Sequence, residues 1–295
     1  MAGSIARTIS KSLFAKARPE GVGATVRRAI GGGHSYLDPF LMCDDFTVAP
    51  PAGFPDHPHR GFETVTYLLE GAIAHEDFAG NKGIIGPGDI QWMTAGKGIV
   101  HAEMPASPTP SRGIQLWLNL SADQKMIEPS YQDLKDKDIP RAQPEEGVEI
   151  KVIAGESHGV QSPVFTRTPS LMIDFSLVKG KKVRQEIPKE YRGFIYVIKG
   201  SGYFGETEYK GETAHVLFLD DNEGDHLNVE AREDDLRFVL FAGKPLNERI
   251  VQHGPFVMNA DEQIYQAIRD YNYCKNGFER AKNWRSSIAD GVIRT

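Results

Sequence analysis

Cysteine is nearly missing from this chain: Cys43 and Cys274 are the two it has in 295 residues, far apart and without a CxxC spacing. That scarcity argues against a disulfide framework and a closed cysteine-zinc site, and it suits a reducing compartment such as cytosol or nucleus. Long apolar runs are missing too. Nothing approaches the roughly twenty residues of a membrane-spanning helix, and no secretory apolar segment is visible, so neither a membrane nor an extracellular destination is expected. Basic residues are not in excess: the net charge is −6, which gives no whole-molecule field to draw in nucleic acid. Direct sequence-specific DNA binding is not expected.

What is present is a globular composition, 40% hydrophobic, enough to fill one large all-β domain or two smaller ones. Residues 4–18 stand apart, because Arg7, Lys11, Lys16 and Arg18 come with serines and no acid, as in a mitochondrial transit peptide. The alternative for that segment is a first strand or a surface arm.

Glycine and proline punctuate the middle of the chain, with runs such as Thr64-Val-Thr-Tyr-Leu-Leu69 and Gln115-Leu-Trp-Leu-Asn-Leu120 between them. Many short strands at that spacing predict β-sandwiches or barrels rather than βαβ units. A weak repeat predicts two of them. Thr66-Tyr-Leu-Leu-Glu-Gly71 resembles Ile195-Tyr-Val-Ile-Lys-Gly200, and Gly86-Pro-Gly-Asp89 resembles Asn222-Glu-Gly-Asp225. The charged stretch from Asp133 to Gly147 is the natural boundary, giving domains 1–138 and 139–295. Near the end, Ile264, Ala267, Ile268 and Tyr271 recur at helical spacing. They predict a helix over Ala260–Cys274, with Asn259 as N-cap and Glu262 three residues on.

The densest segment is Gly53-Phe-Pro-Asp-His57-Pro-His59, answered by Gly96-Lys-Gly-Ile-Val-His101-Ala-Glu103. Alternate side chains of a strand share a face, so His57 with His59 and His101 with Glu103 form two pairs that can converge on a metal ion. Imidazole nitrogen and carboxylate oxygen suit a borderline divalent ion such as iron. Glu63, four residues after His59, competes with Glu103 as the carboxylate ligand. Other features carry less. His75 and Asp77 are expected on a solvated strand edge, Lys179-Gly-Lys-Lys182 in a turn, and Gly96-Lys-Gly98 in a tight turn delivering His101. Trp92, Met93, Phe54 and Phe62 are core candidates, some of which could line a pocket for a flat aromatic substrate.

His57-x-His59 with Glu63 and Gly71, followed by Pro87-Gly-Asp89 and Gly98-Ile-Val-His101, resembles the two motifs of the cupin superfamily. More narrowly, the stretch from Gly53 through His57, His59, Arg60, Gly61, Phe62 and Glu63 to Val65 resembles the pirin family, of the eukaryotic kind. So do Gln91-Trp-Met-Thr-Ala-Gly96, Ile99-Val-His-Ala-Glu-Met104 and Gln252-His-Gly-Pro-Phe-Val-Met-Asn259. The likeness spans essentially the whole chain.

The resemblance implies a bicupin: two β-barrel or jelly-roll domains with a C-terminal helix. It implies iron in the N-terminal barrel, Fe2+ with Fe3+ in a regulatory state, bound by His57, His59, His101 and Glu103. Glu63 then becomes an orienting or core-polar residue. Pro105 departs from the general pattern by standing where the second cupin motif commonly ends in Asn. In the second barrel Glu186 and Pro188 fall opposite His57 and His59, so no metal is expected there. His215, His226 and His253 are expected at the surface or as core polar groups.

Four protein ligands leave an iron ion open to a substrate. The resemblance extends to flavonol-cleaving dioxygenases, which implies ring opening of quercetin with dioxygen and release of carbon monoxide, Glu103 serving as base. A different class is also implied: a non-catalytic, iron-dependent nuclear co-regulator joining nuclear factor kappa B complexes. Arg60, Lys97 and Arg112 would offer it a basic interface. A third possibility is a metal-dependent isomerase or another oxygenase. A monomer in nucleus and cytoplasm is expected.

Overall fold

In a computed structural model describing residues 4–21, 23–32, 36–221 and 224–289, the β-branched and aromatic runs fold as strands. The Asp261–Asn272 segment is the one α-helix among the described residues. The all-β expectation holds because the runs bury side chains on both faces. Phe62–Glu70 and Leu236–Gly243, for example, are buried almost without a break, as central strands covered on two sides are.

The chain divides into two compact units, neither of which is contiguous. One takes Ala17–Tyr36, Phe40–Asp136 and Leu246–Thr295; the other takes Met1–Lys16, Leu37–Pro39 and Lys137–Pro245. These units differ from the expected halves 1–138 and 139–295 at both ends. At the start, the Ile9–Phe14 strand pairs antiparallel with His215–Leu219, so it belongs to the second unit. Arg7 is buried there, donating to the carbonyls of Tyr191 and Pro188 at 2.7 Å each. The strand alternative therefore describes residues 9–14, whereas the transit-peptide composition alone could not show it. At the other end, Ile264, Ala267 and Phe278 pack with Met93, Ile99 and Val100 of the first unit.

Each unit is built from a seven-stranded and a four-stranded antiparallel sheet. In the first unit Ala24, Val26, Phe46 and Leu68 of the larger sheet pack on Ile73 and Ile85 of the smaller. In the second, Phe175, Val197 and Phe238 do the same with Val183 and Leu227. The repeat is visible in the turns: Gly71 and Gly200 end matching strands at the same φ of 79°, a left-handed conformation that favours glycine. The Asn222-Glu223 half of the other repeat lies outside the described residues. Gly96-Lys-Gly98 is a turn, as expected, and Lys179-Gly-Lys-Lys182 begins as one, although Lys182 already opens the Lys182–Glu186 strand.

The C-terminal helix is shorter than predicted, and its entry differs. Ala260 occupies the N-cap position without a side-chain bond. The Oε1 of Gln263, not Glu262, accepts from the backbone N–H of Asn259 at 2.9 Å. Asn259 itself turns outward, to the carbonyl of Arg249 and the carboxylate of Glu248. No helix among the described residues is long and apolar enough to cross a membrane.

Candidate metal centre

Three segments of the first unit bring the site together. Phe54–His59 and Ile73–Asp77 flank Ile99–Pro105 in the four-stranded sheet, and His101 pairs across the ladder with His57 on one side and Asp77 on the other. Between His101 and Glu103 the pairing with Phe54–His59 slips: Glu103 faces Phe54, one residue further than a regular ladder would place it. Such a bulge re-aims a side chain.

The ligand atoms of His57, His59 and His101 lie within 4.8 Å of one another. Among the described residues this is the one such group of three or more His, Cys, Asp or Glu, so the second unit has no counterpart. Nε2 of His57 and Nε2 of His101 are 3.0 Å apart. Two imidazole lone pairs at that distance need a proton or a cation between them. His57 Nδ1 sits 2.8 Å from the carbonyl of Pro55 and donates to it, which leaves Nε2 as the lone-pair nitrogen. His59 is buried with neither ring nitrogen hydrogen-bonded, and Nδ1 of buried His101 has no partner either. Orphaned imidazoles cost free energy when buried, and a metal ion would satisfy them. Burial pushes all three pKa values down and keeps the rings neutral, the form that binds metal. The donor set fits a borderline divalent metal.

Glu103 is not in that group. Its Oε1 accepts from the Thr66 hydroxyl at 2.9 Å, and Thr66 Oγ1 also lies 2.6 Å from Oε1 of Gln115. Burial raises the Glu103 carboxyl to about 7, with the Thr66 hydrogen bond acting in the opposite direction. Glu63, the competing carboxylate, is fully buried and accepts from Thr94 at 2.6 Å; it plays a core-polar part away from the cavity.

A cavity of about 590 Å³ opens on the site, lined by His57, His59, Glu103, Gln115, Phe54 and Trp117 among others. That size suits a small organic ligand. Of the apolar candidates, Phe54 lines it, while Trp92, Met93 and Phe62 are core. Trp117 was missed, as were Thr66 and Gln115. The signal was available in part, since Gln115 and Trp117 alternate along one strand and so share a face.

Several expectations change in the structure. His75 and Asp77 are not a solvated edge: both are buried, and burial drives His75 down to about 4. His75 stacks on Tyr131, and Asp77 accepts from the backbone of Ala79 and Asn81. Of the three residues expected to form a basic interface, one is withdrawn from solvent and two are partly exposed in ion pairs. Arg60 is buried against Asp270, Lys97 pairs with Glu128, and Arg112 is held by Asp45. Of the other histidines, His226 is buried beside Asp225, whereas His215 is partly buried and His253 is exposed.

The chain matches the family model for pirin over residues 23–118, which contain every candidate ligand, and the model for the pirin C-terminal cupin domain over residues 172–277. It is 53% identical to Pirin-like protein 2 of Arabidopsis thaliana over 288 residues, 96% of this chain and 89% of that one. It is 52% identical to Pirin of Homo sapiens, covering 96% and 99%. The chain belongs to the pirin family. Among solved structures, a quercetin 2,3-dioxygenase of Acinetobacter baumannii superposes with a TM-score of 0.82 at 34% identity, covering 92% of this chain and 99% of that one. The two-barrel fold is thus that of a pirin, a bicupin whose N-terminal barrel holds the histidine group.

Proposed function

We propose that this pirin is an iron-dependent dioxygenase that opens the ring of a flavonol such as quercetin and releases carbon monoxide. The observation that carries the reading is one cavity of about 590 Å³ lined by His57, His59 and Glu103 together, with the flat rings of Phe54 and Trp117 beside them. The likeness to a quercetin 2,3-dioxygenase supports the substrate class. Iron would be held by His57, His59 and His101, with Glu103 as the carboxylate of the set. When bound, it supplies Lewis acidity and a redox-active centre for dioxygen.

The chain's own groups do the rest. Phe54 and Trp117 offer flat apolar walls to a planar ring system, while Gln115 offers an amide for orientation. Glu103 takes the proton of the substrate hydroxyl when its carboxylate is off the metal and beside Thr66, from where it still lines the cavity. The buried surroundings keep water from that proton.

The test is anaerobic iron loading, addition of quercetin and admission of oxygen, followed by oxygen uptake and loss of flavonol absorbance. Turnover by the wild type, none by His101→Ala, and iron-loaded Glu103→Gln slowed about 10²- to 10⁴-fold are expected. An iron-loaded wild type without turnover would overturn the reading. A nuclear co-regulator role is the second reading and rests on family membership; of the residues expected to serve it, Arg60 is buried, while Lys97 and Arg112 are partly exposed and paired.

A further inference from the structure

We infer that Thr66 is a dock that holds the Glu103 carboxylate away from the three histidines, and that Gln115 connects this dock to the cavity. The inference rests on the metal-site reading above and names positioning residues for it. Thr66 and Gln115 stand directly opposite each other on neighbouring strands, Phe62–Glu70 and Ser111–Asn119, so sheet register fixes their contact. Thr66 is buried; Gln115 lines the cavity.

A threonine hydroxyl has one proton, yet Thr66 Oγ1 lies 2.9 Å from Glu103 Oε1 and 2.6 Å from the Gln115 amide. It can donate to one of them only. If it donates to Glu103, Gln115 must turn its N–H toward Thr66 and its carbonyl toward the cavity. If the Gln115 carbonyl faces Thr66, the proton goes there and an ionised Glu103 loses its donor. The amide orientation of Gln115 therefore decides whether Glu103 stays docked. A hydroxylated aromatic ligand that donates to the Gln115 carbonyl selects the docked state, with the carboxylate free to act as base. The histidine group without Glu103 and the bulge between His101 and Glu103 agree with this second resting place.

The test measures the Fe2+ dissociation constant anaerobically by chelator competition in wild type, Thr66→Val and Thr66→Ser, with kcat and KM for quercetin alongside. Loss of the dock frees Glu103 for the metal, so Thr66→Val should bind Fe2+ about tenfold more tightly, the ratio expected for one charge-assisted hydrogen bond. Its kcat should fall with KM little changed, and Thr66→Ser, which keeps the hydroxyl, should behave as wild type. Unchanged or weaker iron binding by Thr66→Val, when the wild type binds iron, would overturn the dock. Tighter iron binding without flavonol turnover in any variant would uphold the dock and overturn the flavonol reading. A wild type that binds no iron would overturn both.

Discussion

The Arg60 guanidinium lies 2.8 Å from the Asp270 carboxylate with both side chains withdrawn from solvent, so the C-terminal helix is tied to the residue that follows His59. The remaining guanidinium N–H groups reach the carbonyls of Lys97 and Asn276 at 2.7 Å, and the ring of Phe278 lies beneath. Asp270 also accepts from Gln266 and Asn276. Each guanidinium nitrogen and both carboxylate oxygens have a partner, which is the condition under which a buried pair is tolerated.

Breaking that pair from one side should be costly. Asp270→Ala leaves a buried guanidinium without its counter-charge and should lower stability by about 3–5 kcal/mol, read as a fall in the denaturation midpoint. Replacing both partners, as Arg60→Met with Asp270→Leu, should recover much of the loss. A single variant as stable as wild type would show that water reaches the cluster.

A second anchor lies below the same turn. Lys125 is buried and its ammonium donates to Asn119 Oδ1 at 2.6 Å, to the Gly61 carbonyl at 2.8 Å and to the Val257 carbonyl at 3.3 Å. Lys125→Met keeps the volume but strands these acceptors, at about 1–3 kcal/mol for each buried group left unpaired. Gly61 itself has a φ of 90°, and a Cβ there would overlap the Val257 carbonyl. Gly61→Ala should therefore destabilise the protein and loosen the end of the strand carrying His57 and His59. Thermal unfolding of both variants checks this.

Iron should stabilise the folded protein through His59, whose two ring nitrogens have no hydrogen bond. At a free concentration of 100 times the dissociation constant the gain is about 2.7 kcal/mol, because the unfolded chain has no formed site. Chelation should reverse it. His59→Ala should show no iron-dependent rise in melting temperature.

In the metal-free protein the contribution of Glu103 to stability should fall as pH rises. Buried His57, His59, His75 and His101 set the opposite trend, because their lowered pKa values favour the folded state at higher pH. Glu103 titrates at about 7 in the folded state against an ordinary value of 4.5, so the folded chain keeps a proton that the unfolded chain has released. The stabilisation is complete below pH 4.5 and is lost between there and about 7, a change of roughly 3 kcal/mol. The difference in stability between wild type and Glu103→Gln across that window isolates it. A bound cation favours the carboxylate and should flatten or invert the trend.

Much of the site was legible because the signals are local. His57 and His59 share a face by the period of any strand, and the proline between them restrains the backbone. The helix was legible in its apolar spacing, although its cap was not, since Gln263 and Glu262 are equally able to reach back and only the backbone path selects one. His75 was misjudged for a similar reason. Its burial comes from Tyr131, a residue of another strand 56 positions away by numbering, and nothing near His75 announces that cover.

By itself the sequence determined the strands, the two-barrel organisation and the candidate ligands, because side-chain period, turn residues and donor chemistry act over a few neighbouring positions. Only the tertiary structure decided which unit each chain end joins, that Arg60 is an internal strut and not a docking charge, and that Glu103 rests on Thr66. Those outcomes depend on sheet register, one bulge and partners up to 210 residues apart, as between Arg60 and Asp270. Cross-strand pairing brings such groups together, and no local pattern encodes the match.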